Sequence, residues 1–136
     1  MPKTLRDRLI ANKRHAAPVA KLLGMRIVRQ GRGQAILKMK MRKDHCNTIG
    51  TVHGGILCDL SDAAMGYAFT TLLGRGQIGM TVEFKINFLK PVFPAETVKA
   101  WARVLSHGNT LYYTECAIRN RKGHLVAKAA GTCKIL

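Results

Sequence analysis

Apolar and polar residues alternate along much of this chain with the period of half-buried β-strands. In the clearest segment, residues 80–88, apolar side chains alternate strictly with Thr81, Glu83, Lys85 and Asn87. This pattern places Thr81 on the polar face of its strand. Further strands are predicted over residues 25–30, 34–41, 98–104, 111–119 and 125–135, with the first two flanking a Gly31-Arg32-Gly33 turn.

Two segments have the spacing of helices. The spacing of apolar positions over residues 3–23 predicts an N-terminal helix, which Pro18 interrupts. Its apolar stripe consists of Leu5, Leu9, Ala16, Val19, Ala20 and Leu23. A second helix follows His53-Gly54-Gly55 and is predicted to end at Gly74 and Gly76. Apolar residues cover much of its surface, so we expect this helix to be buried on most sides.

One central apolar helix followed by consecutive long strands predicts an α+β fold, with an antiparallel meander packed on the helix. A parallel sheet would need helices between the later strands, and the chain has no room for them. The 136 residues suffice for one domain. We expect residues 1–23 to form a helical arm and residues 24–136 to form the domain.

The charge is unusual, because 23 Lys and Arg against 7 Asp and Glu give a net charge of +16. Thirteen of the basic residues lie within the first 43 positions. Three interpretations stay open: a solvated basic face, a nucleic-acid footprint, and an electrostatic funnel for a polyanionic small molecule. Composition alone does not choose among them.

The four cysteines show neither CxxC pairing nor a histidine at metal-ligand spacing, so we expect buried thiols and no metal site. No apolar run approaches the roughly 20 residues that cross a bilayer. The N-terminus also lacks the apolar run of a secretory signal. We therefore predict a soluble, cytoplasmic protein without a membrane partner.

The stretch from Asn47 to Asp62 carries the candidate chemistry. Paired glycines at the start of a helix, Gly54 and Gly55, allow another group to approach the backbone closely. The first turn of a helix presents unpaired N–H donors and the positive end of its dipole, which suits a carbonyl oxygen that gains negative charge. Asp62 lies two turns into an otherwise apolar helix. A carboxylate there is costly unless it is paired, solvated or used in chemistry.

The run from Asn47 through His53-Gly54-Gly55 to Asp62 and Ala64 resembles the acyl-CoA thioesterases of the hotdog superfamily, the phenylacetyl-CoA (PaaI) type above all. The similarity extends from about Gly24 to Leu136. It implies a long helix wrapped by an antiparallel sheet, and homodimers or homotetramers with active sites between subunits. It also implies an acyl-CoA substrate and no cofactor beyond the CoA of that substrate.

The resemblance also implies roles for five residues. Asp62 matches the catalytic carboxylate, which acts as nucleophile or as general base on water. Gly54 matches the position whose backbone N–H polarises the thioester carbonyl, and His53 and Asn47 help to place that carbonyl. Thr81 occupies the place of a hydroxyl that orients the water. Asp62 is expected from one subunit, and Gly54, His53 and Asn47 are expected from its neighbour.

Each residue also has a structural interpretation: His53 as a helix cap, Asn47 as a turn residue, Asp62 as a carboxylate bound in a dimer seam. Asp59, a second acid one turn earlier, is interpreted as solvated or ion-paired. The remaining histidines are expected at the surface: His15, His45, His107 and His124.

Two other function classes remain as alternatives. A hotdog dehydratase or hydratase pairs a histidine with an acid on a different spacing, which this sequence lacks. A non-catalytic acyl-CoA sensor or nucleic-acid binder would use the basic charge. However, the 23 residues ahead of Gly24 are too few for a helix-turn-helix, and basic residues are not interleaved with aromatic ones along the chain. We therefore predict no nucleic-acid partner.

Overall fold

The computed structural model describes residues 4–12 and 17–136 and contains three α-helices and six strands. The helices are α1 (Leu5–Asn12), α2 (Pro18–Leu23) and α3 (Gly54–Thr70). The strands are β1 (Met25–Gly31), β2 (Gln34–Lys40), β3 (Gly79–Phe88), β4 (Thr97–His107), β5 (Leu111–Asn120) and β6 (Leu125–Ile135). The predicted α+β class is confirmed.

Among the described residues, the N-terminal segment forms the two short helices α1 and α2, and the helical conformation is interrupted at Ala17, directly before the Pro18 that the sequence predicts to interrupt it. Pro18 is the first residue of α2, where its missing N–H costs no hydrogen bond, and Ala17 before it is extended. Gly24 ends α2 in the left-handed conformation, with its N–H directed to the carbonyl oxygens of Ala20 and Lys21. The predicted stripe residue Ala16 and the histidine His15 lie outside the described residues.

All six strands pair antiparallel in one sheet with the order β1-β2-β4-β5-β6-β3. The alternation predicted for β2 is confirmed, because Ala35, Leu37 and Met39 are buried. Their inward side chains meet α3, which crosses one face of the sheet. β1 and β3 are the two edge strands, so each leaves one row of backbone groups unpaired in a single chain.

The helix α3 is buried along one side only. Its buried residues are Leu57, Leu60, Ser61, Ala64, Met65, Ala68 and Phe69. The opposite side holds Asp59, Asp62 and Tyr67 with partial or full exposure. The expectation of burial on most sides is therefore wrong for a single chain, because the sheet covers just one side of the helix. The helix also ends at Thr70, before the predicted glycines.

Candidate active site

The start of α3 is built by a histidine cap and a glycine. His53 is the N-cap residue, and its Nδ1 accepts a hydrogen bond of 2.9 Å from the N–H of Gly55. Nδ1 as acceptor makes Nε2 the protonated nitrogen of the neutral ring, so the exposed side of His53 can donate a hydrogen bond. Among the described residues, the N–H of Gly54 has no acceptor. It is the free donor that the sequence predicts there.

Gly54 has a packing role as well. A Cβ at this position would lie 2.9 Å from Cζ of Phe88, because the aromatic ring covers the first turn of α3. The absence of a side chain thus brings the ring of β3 against the helix start. Both reasons for a glycine, backbone access and close packing, apply at this position.

Asn47 shapes the loop before α3. Its Oδ1 accepts hydrogen bonds from the N–H groups of Ile49 and Thr51, each 3.1 Å long. Its Nδ2 donates to Oγ1 of Thr51 at 2.9 Å. The side chain therefore stabilises the turn that leads to His53, as an Asx residue does. Its geometry matches the turn interpretation, and one amide proton is left for another partner.

Asp62 is joined to Thr81 across the helix–sheet interface. Oγ1 of Thr81 donates a hydrogen bond of 2.7 Å to Oδ1 of Asp62. The other carboxylate oxygen, Oδ2, has no donor among residues 4–12 and 17–136. Both side chains are half-buried and line a cavity of about 870 Å³, which α3 and β3 border together with the start of α2, Gln30 of β1 and Cys133 of β6. Asp62 is thus held at one oxygen and free to react at the other.

A β-bulge brings Thr81 to this position. The pairing of β3 with β6 shifts register between Thr81 and Glu83, so one extra residue enters β3 there. Because one residue reverses the faces of a strand, Thr81 and Phe84 both face α3. The strict alternation predicted from the sequence is wrong here, and Thr81 does not lie on the polar face.

Cys133 extends the Asp62–Thr81 pair, although nothing in the residue pattern distinguishes it from the other cysteines. Its Sγ lies 3.9 Å from Oγ1 of Thr81. The single hydroxyl proton of Thr81 goes to Asp62, so the thiol is the donor in this contact. Burial raises the pKa of Cys133, and the thiol keeps its proton. The three residues form a chain that ends on the carboxylate.

The Gly54 and Asp62 groups of one chain lie apart. Gly54 borders a second cavity of about 460 Å³, whose lining residues are all different from those of the Asp62 cavity. Gly54 and Asp62 are eight positions apart along the helix, which corresponds to about 12 Å along the axis and about 80° around it. One chain therefore cannot bring its own Gly54 N–H and its own Asp62 to the same carbonyl.

Asp59 shares the site with Asp62, and His45 differs from its predicted surroundings. Asp59 is exposed and borders the same cavity as Asp62. His45, expected at the surface, is buried with 2% exposure. His45 is the last residue of the 3₁₀ turn Lys43–His45. The N–H of Arg42, which caps this turn, donates a hydrogen bond of 2.9 Å to Nδ1 of His45. Charged neighbours in the sequence concealed this burial.

Comparison with known proteins assigns the fold and the site region to a family. The model of the thioesterase superfamily matches residues 49–127, which contain the helix start, Asp62 and Thr81. This chain belongs to the thioesterase superfamily. A human protein named acyl-coenzyme A thioesterase 13 is 31% identical over 134 residues, which are 97% of this chain and 94% of that protein.

Solved structures of this superfamily have the same hotdog fold. The Escherichia coli PaaI protein from the phenylacetic acid degradation operon matches with a TM-score of 0.83 and 27% identity, over 95% of this chain and 88% of its own. A hypothetical thioesterase from Streptococcus pneumoniae, solved with coenzyme A, matches with a TM-score of 0.77 and 26% identity, over 82% of this chain and 85% of its own. The resemblance predicted from the motif is confirmed.

Proposed function

We propose that this chain is an acyl-CoA thioesterase, which hydrolyses a thioester to a free carboxylic acid and CoA. The observation that carries the proposal is the Asp62 carboxylate, bound to Thr81 through Oδ1 and open to a cavity through Oδ2. A thioester is an activated acyl group, so one positioned carboxylate and an oxyanion hole suffice for its hydrolysis. The relatives named acyl-CoA thioesterase and the neighbour solved with coenzyme A support the substrate class.

The chemistry requires groups from two subunits. The Gly54 N–H of one subunit, aided by the Nε2 donor of His53, polarises the thioester carbonyl and holds the oxyanion. Asp62 of the neighbour either removes a proton from water, which then attacks the carbonyl carbon, or attacks that carbon itself. Collapse of the tetrahedral intermediate expels the CoA thiolate, which takes up a proton. With water as the nucleophile this step gives the free acid directly. With Asp62 as the nucleophile it leaves the acyl group on the carboxylate as a mixed anhydride, which water then hydrolyses to the free acid and the restored Asp62. Thr81 fixes the reacting carboxylate.

The edge strand β3 is the proposed subunit contact. It carries unpaired backbone groups and the exposed apolar side chains Met80 and Val82, which are 55% and 60% exposed. A two-fold contact along β3 would extend the sheet into a second copy and cover these side chains. We propose a homodimer built in this way, with a homotetramer as its further assembly.

Location and cofactor use stay predictions. No helix of the described residues is long and apolar enough to span a membrane. The cytoplasmic location and the lack of a cofactor, both predicted from the sequence, are carried forward as part of this proposal.

Asp62→Asn tests the mechanism with thiol release from a panel of acyl-CoAs as the readout. The amide keeps the shape and can still accept the Thr81 hydrogen bond, but it neither attacks a carbonyl nor takes a proton from water. We expect kcat to fall by at least roughly 10²-fold with KM little changed. Asp59→Asn is the matched control, because it removes the same charge from the same cavity and should keep activity. Inactive Asp59→Asn with active Asp62→Asn would contradict the assignment, and two active variants would contradict the carboxylate mechanism.

A further inference from the structure

Four basic residues form one row across the outer face of the sheet, the face that α3 does not cover. Cross-strand pairing puts Arg26 of β1 opposite Lys38 of β2, and Lys38 opposite Lys99 of β4. Lys99 in turn lies opposite Arg119 of β5. We call these four residues the cation row. Adjacent strands are about 4.8 Å apart, so the row extends over about 14 Å.

The cation row has no acidic partner. The ion pairs on the outer face involve Glu115, which binds Arg103 at 2.7 Å and Lys128 at 3.0 Å. All seven acidic residues of the chain are among those described, and none lies within 4.0 Å of a charged nitrogen of the row. Like charges directly opposite each other in a sheet are destabilising. Such a row is suited to binding an extended anion.

An aromatic side chain lies beside the row. Trp101 is two residues beyond Lys99 on β4, on the same face, and its side chain is 43% exposed. Its cross-strand neighbours are Ile36 and the small Ala117, which leaves the indole uncovered on the β5 side. Trp101 and three members of the row line one cleft of about 430 Å³, together with Arg121 of the β5–β6 turn. Cations and an open aromatic ring thus share one surface.

We propose that the outer face of the sheet binds single-stranded nucleic acid. Phosphates follow the cation row, and a base stacks on Trp101 in the cleft, the combination by which single strands are bound without sequence preference. A second copy is a poor occupant, because face-to-face packing would bring one cation row against another. An anionic membrane would be met better by a protruding apolar group than by an indole inside a cleft.

Binding of single-stranded nucleic acid to the cation row would be at odds with the prediction, made from the sequence, that no nucleic acid is bound. That prediction rested on the lack of room for a helix-turn-helix ahead of Gly24 and on the lack of basic residues interleaved with aromatic ones. The sheet provides the interleaving across strands instead, because Lys38 and Arg119 come from β2 and β5 to flank the Lys99–Trp101 segment of β4. The surface lies on the opposite side of the sheet from Asp62, so the inference is independent of the proposed hydrolysis.

Fluorescence anisotropy of a labelled oligo(dT) of about 12 nucleotides, titrated with the full chain, tests the proposal. Neutralising four phosphates on a single strand gives a slope of about −2.8 for log K against log salt concentration, so affinity should fall about 50-fold between about 50 and 200 mM salt.

The double variant Lys38→Gln/Lys99→Gln should reduce both the affinity and the magnitude of this slope. The matched control Lys21→Gln/Lys134→Gln removes two charges from exposed positions outside the row and should change neither. Trp101→Leu should weaken binding at least about 5-fold, whereas Trp101→Phe should keep most of it.

All these variants should keep the rate of thioester hydrolysis of the parent chain. Lack of oligonucleotide binding at low salt would overturn the proposal. Equal losses in the row and control variants would also overturn it, because the binding would then reflect net charge alone. Displacement of the oligonucleotide by equimolar CoA would replace it with a site for the CoA nucleotide. Tighter, row-dependent binding to phosphatidylserine vesicles than to oligo(dT) would replace it with a membrane surface.

Discussion

Asp62 and Thr81 lie on different elements, yet their side chains meet in a hydrogen bond of 2.7 Å between Oδ1 and Oγ1. The helix α3 supplies the acid and the edge strand β3 supplies the hydroxyl. The bulge in β3 turns the hydroxyl inward. Without the extra residue, the strand would direct Thr81 to the opposite face and leave Asp62 unbound. The pair therefore depends on a local irregularity of one strand.

Replacing Thr81 tests the contribution of this pair. Thr81→Val keeps the shape but removes the proton donated to Asp62, so the carboxylate loses its fixed orientation. A hydrogen bond to a charged group is worth about 1.5–3 kcal/mol, so we expect kcat to fall roughly 10- to 100-fold. Thr81→Ser keeps the donor and should retain most of the activity. Unchanged kcat in Thr81→Val, measured on a folded protein, would show that the hydroxyl has no positioning role.

The sequence predicted those parts of the molecule in which local pattern and final structure agree. Ala35, Leu37 and Met39 follow a strict period of two, and the strand that holds them has no irregularity on its inward face. The helix start and its acid were recognisable because a glycine pair at the first turn and a carboxylate further along are unusual on an apolar helix. Both features have a local physical cause.

The parts that were not predicted depend on register or on distant neighbours. A bulge leaves no clear mark in the alternation of residues 80–88, so Thr81 was assigned to the wrong face. His45 follows Asp44 and looks like a surface residue, although a backbone N–H of its own turn binds its ring. The cation row joins four strands and exists only through their pairing. Cys133 joins Thr81 for the same reason.

The two edge strands offer a matched test of the proposed dimer. Val82 on β3 is 60% exposed and Val28 on β1 is 53% exposed. Val82→Glu would bury a charge in the proposed contact, so we expect dissociation to monomers and loss of turnover together. Val28→Glu adds the same charge at the opposite edge and should change neither. Light scattering measures the assembly. A monomeric Val82→Glu with full activity would contradict the shared site.

Substitution by alanine is expected to have opposite effects on stability at two glycines, Gly131 and Gly66. A Cβ on Gly131 of β6 would lie 2.5 Å from Cβ of Phe84 and 2.6 Å from the carbonyl oxygen of Glu83. Gly131→Ala should therefore lower the free energy of unfolding by about 1–3 kcal/mol. Gly66 lies within α3 with nothing within 4 Å of such a Cβ. Gly66→Ala should raise the free energy by about 0.5–1 kcal/mol. Urea unfolding measures both, and equal effects would contradict the packing described around β3.

His45 should make the stability of the fold depend on pH. Its ring is buried, Nδ1 accepts the Arg42 N–H at 2.9 Å, and Nε2 has no hydrogen-bond partner among the described residues. Burial lowers the pKa of His45, the positive charge of Arg42 lowers it further, and Asp44 opposes them. The folded state thus holds the ring neutral, whereas the unfolded chain protonates it at an ordinary value of about 6.5.

The direction of this pH dependence is set by the difference in proton binding between the folded and the unfolded state. Between the folded and the unfolded pKa of His45, the unfolded state binds more protons, so stability falls as pH falls. The loss should begin near pH 6.5, with a slope of at most about 1.4 kcal/mol per pH unit, and should level off below the folded pKa. Arg42 lowers the pKa of Asp44, and Arg103 with Lys128 lowers the pKa of Glu115. These two carboxylates therefore reduce stability only at more acidic pH.

Urea unfolding from about pH 8 to pH 5 isolates the pH range in which the histidine titrates. His45→Gln should flatten this window, whereas His124→Gln, at an exposed position, should leave it unchanged. A slope that persists in His45→Gln would assign the pH dependence to another group.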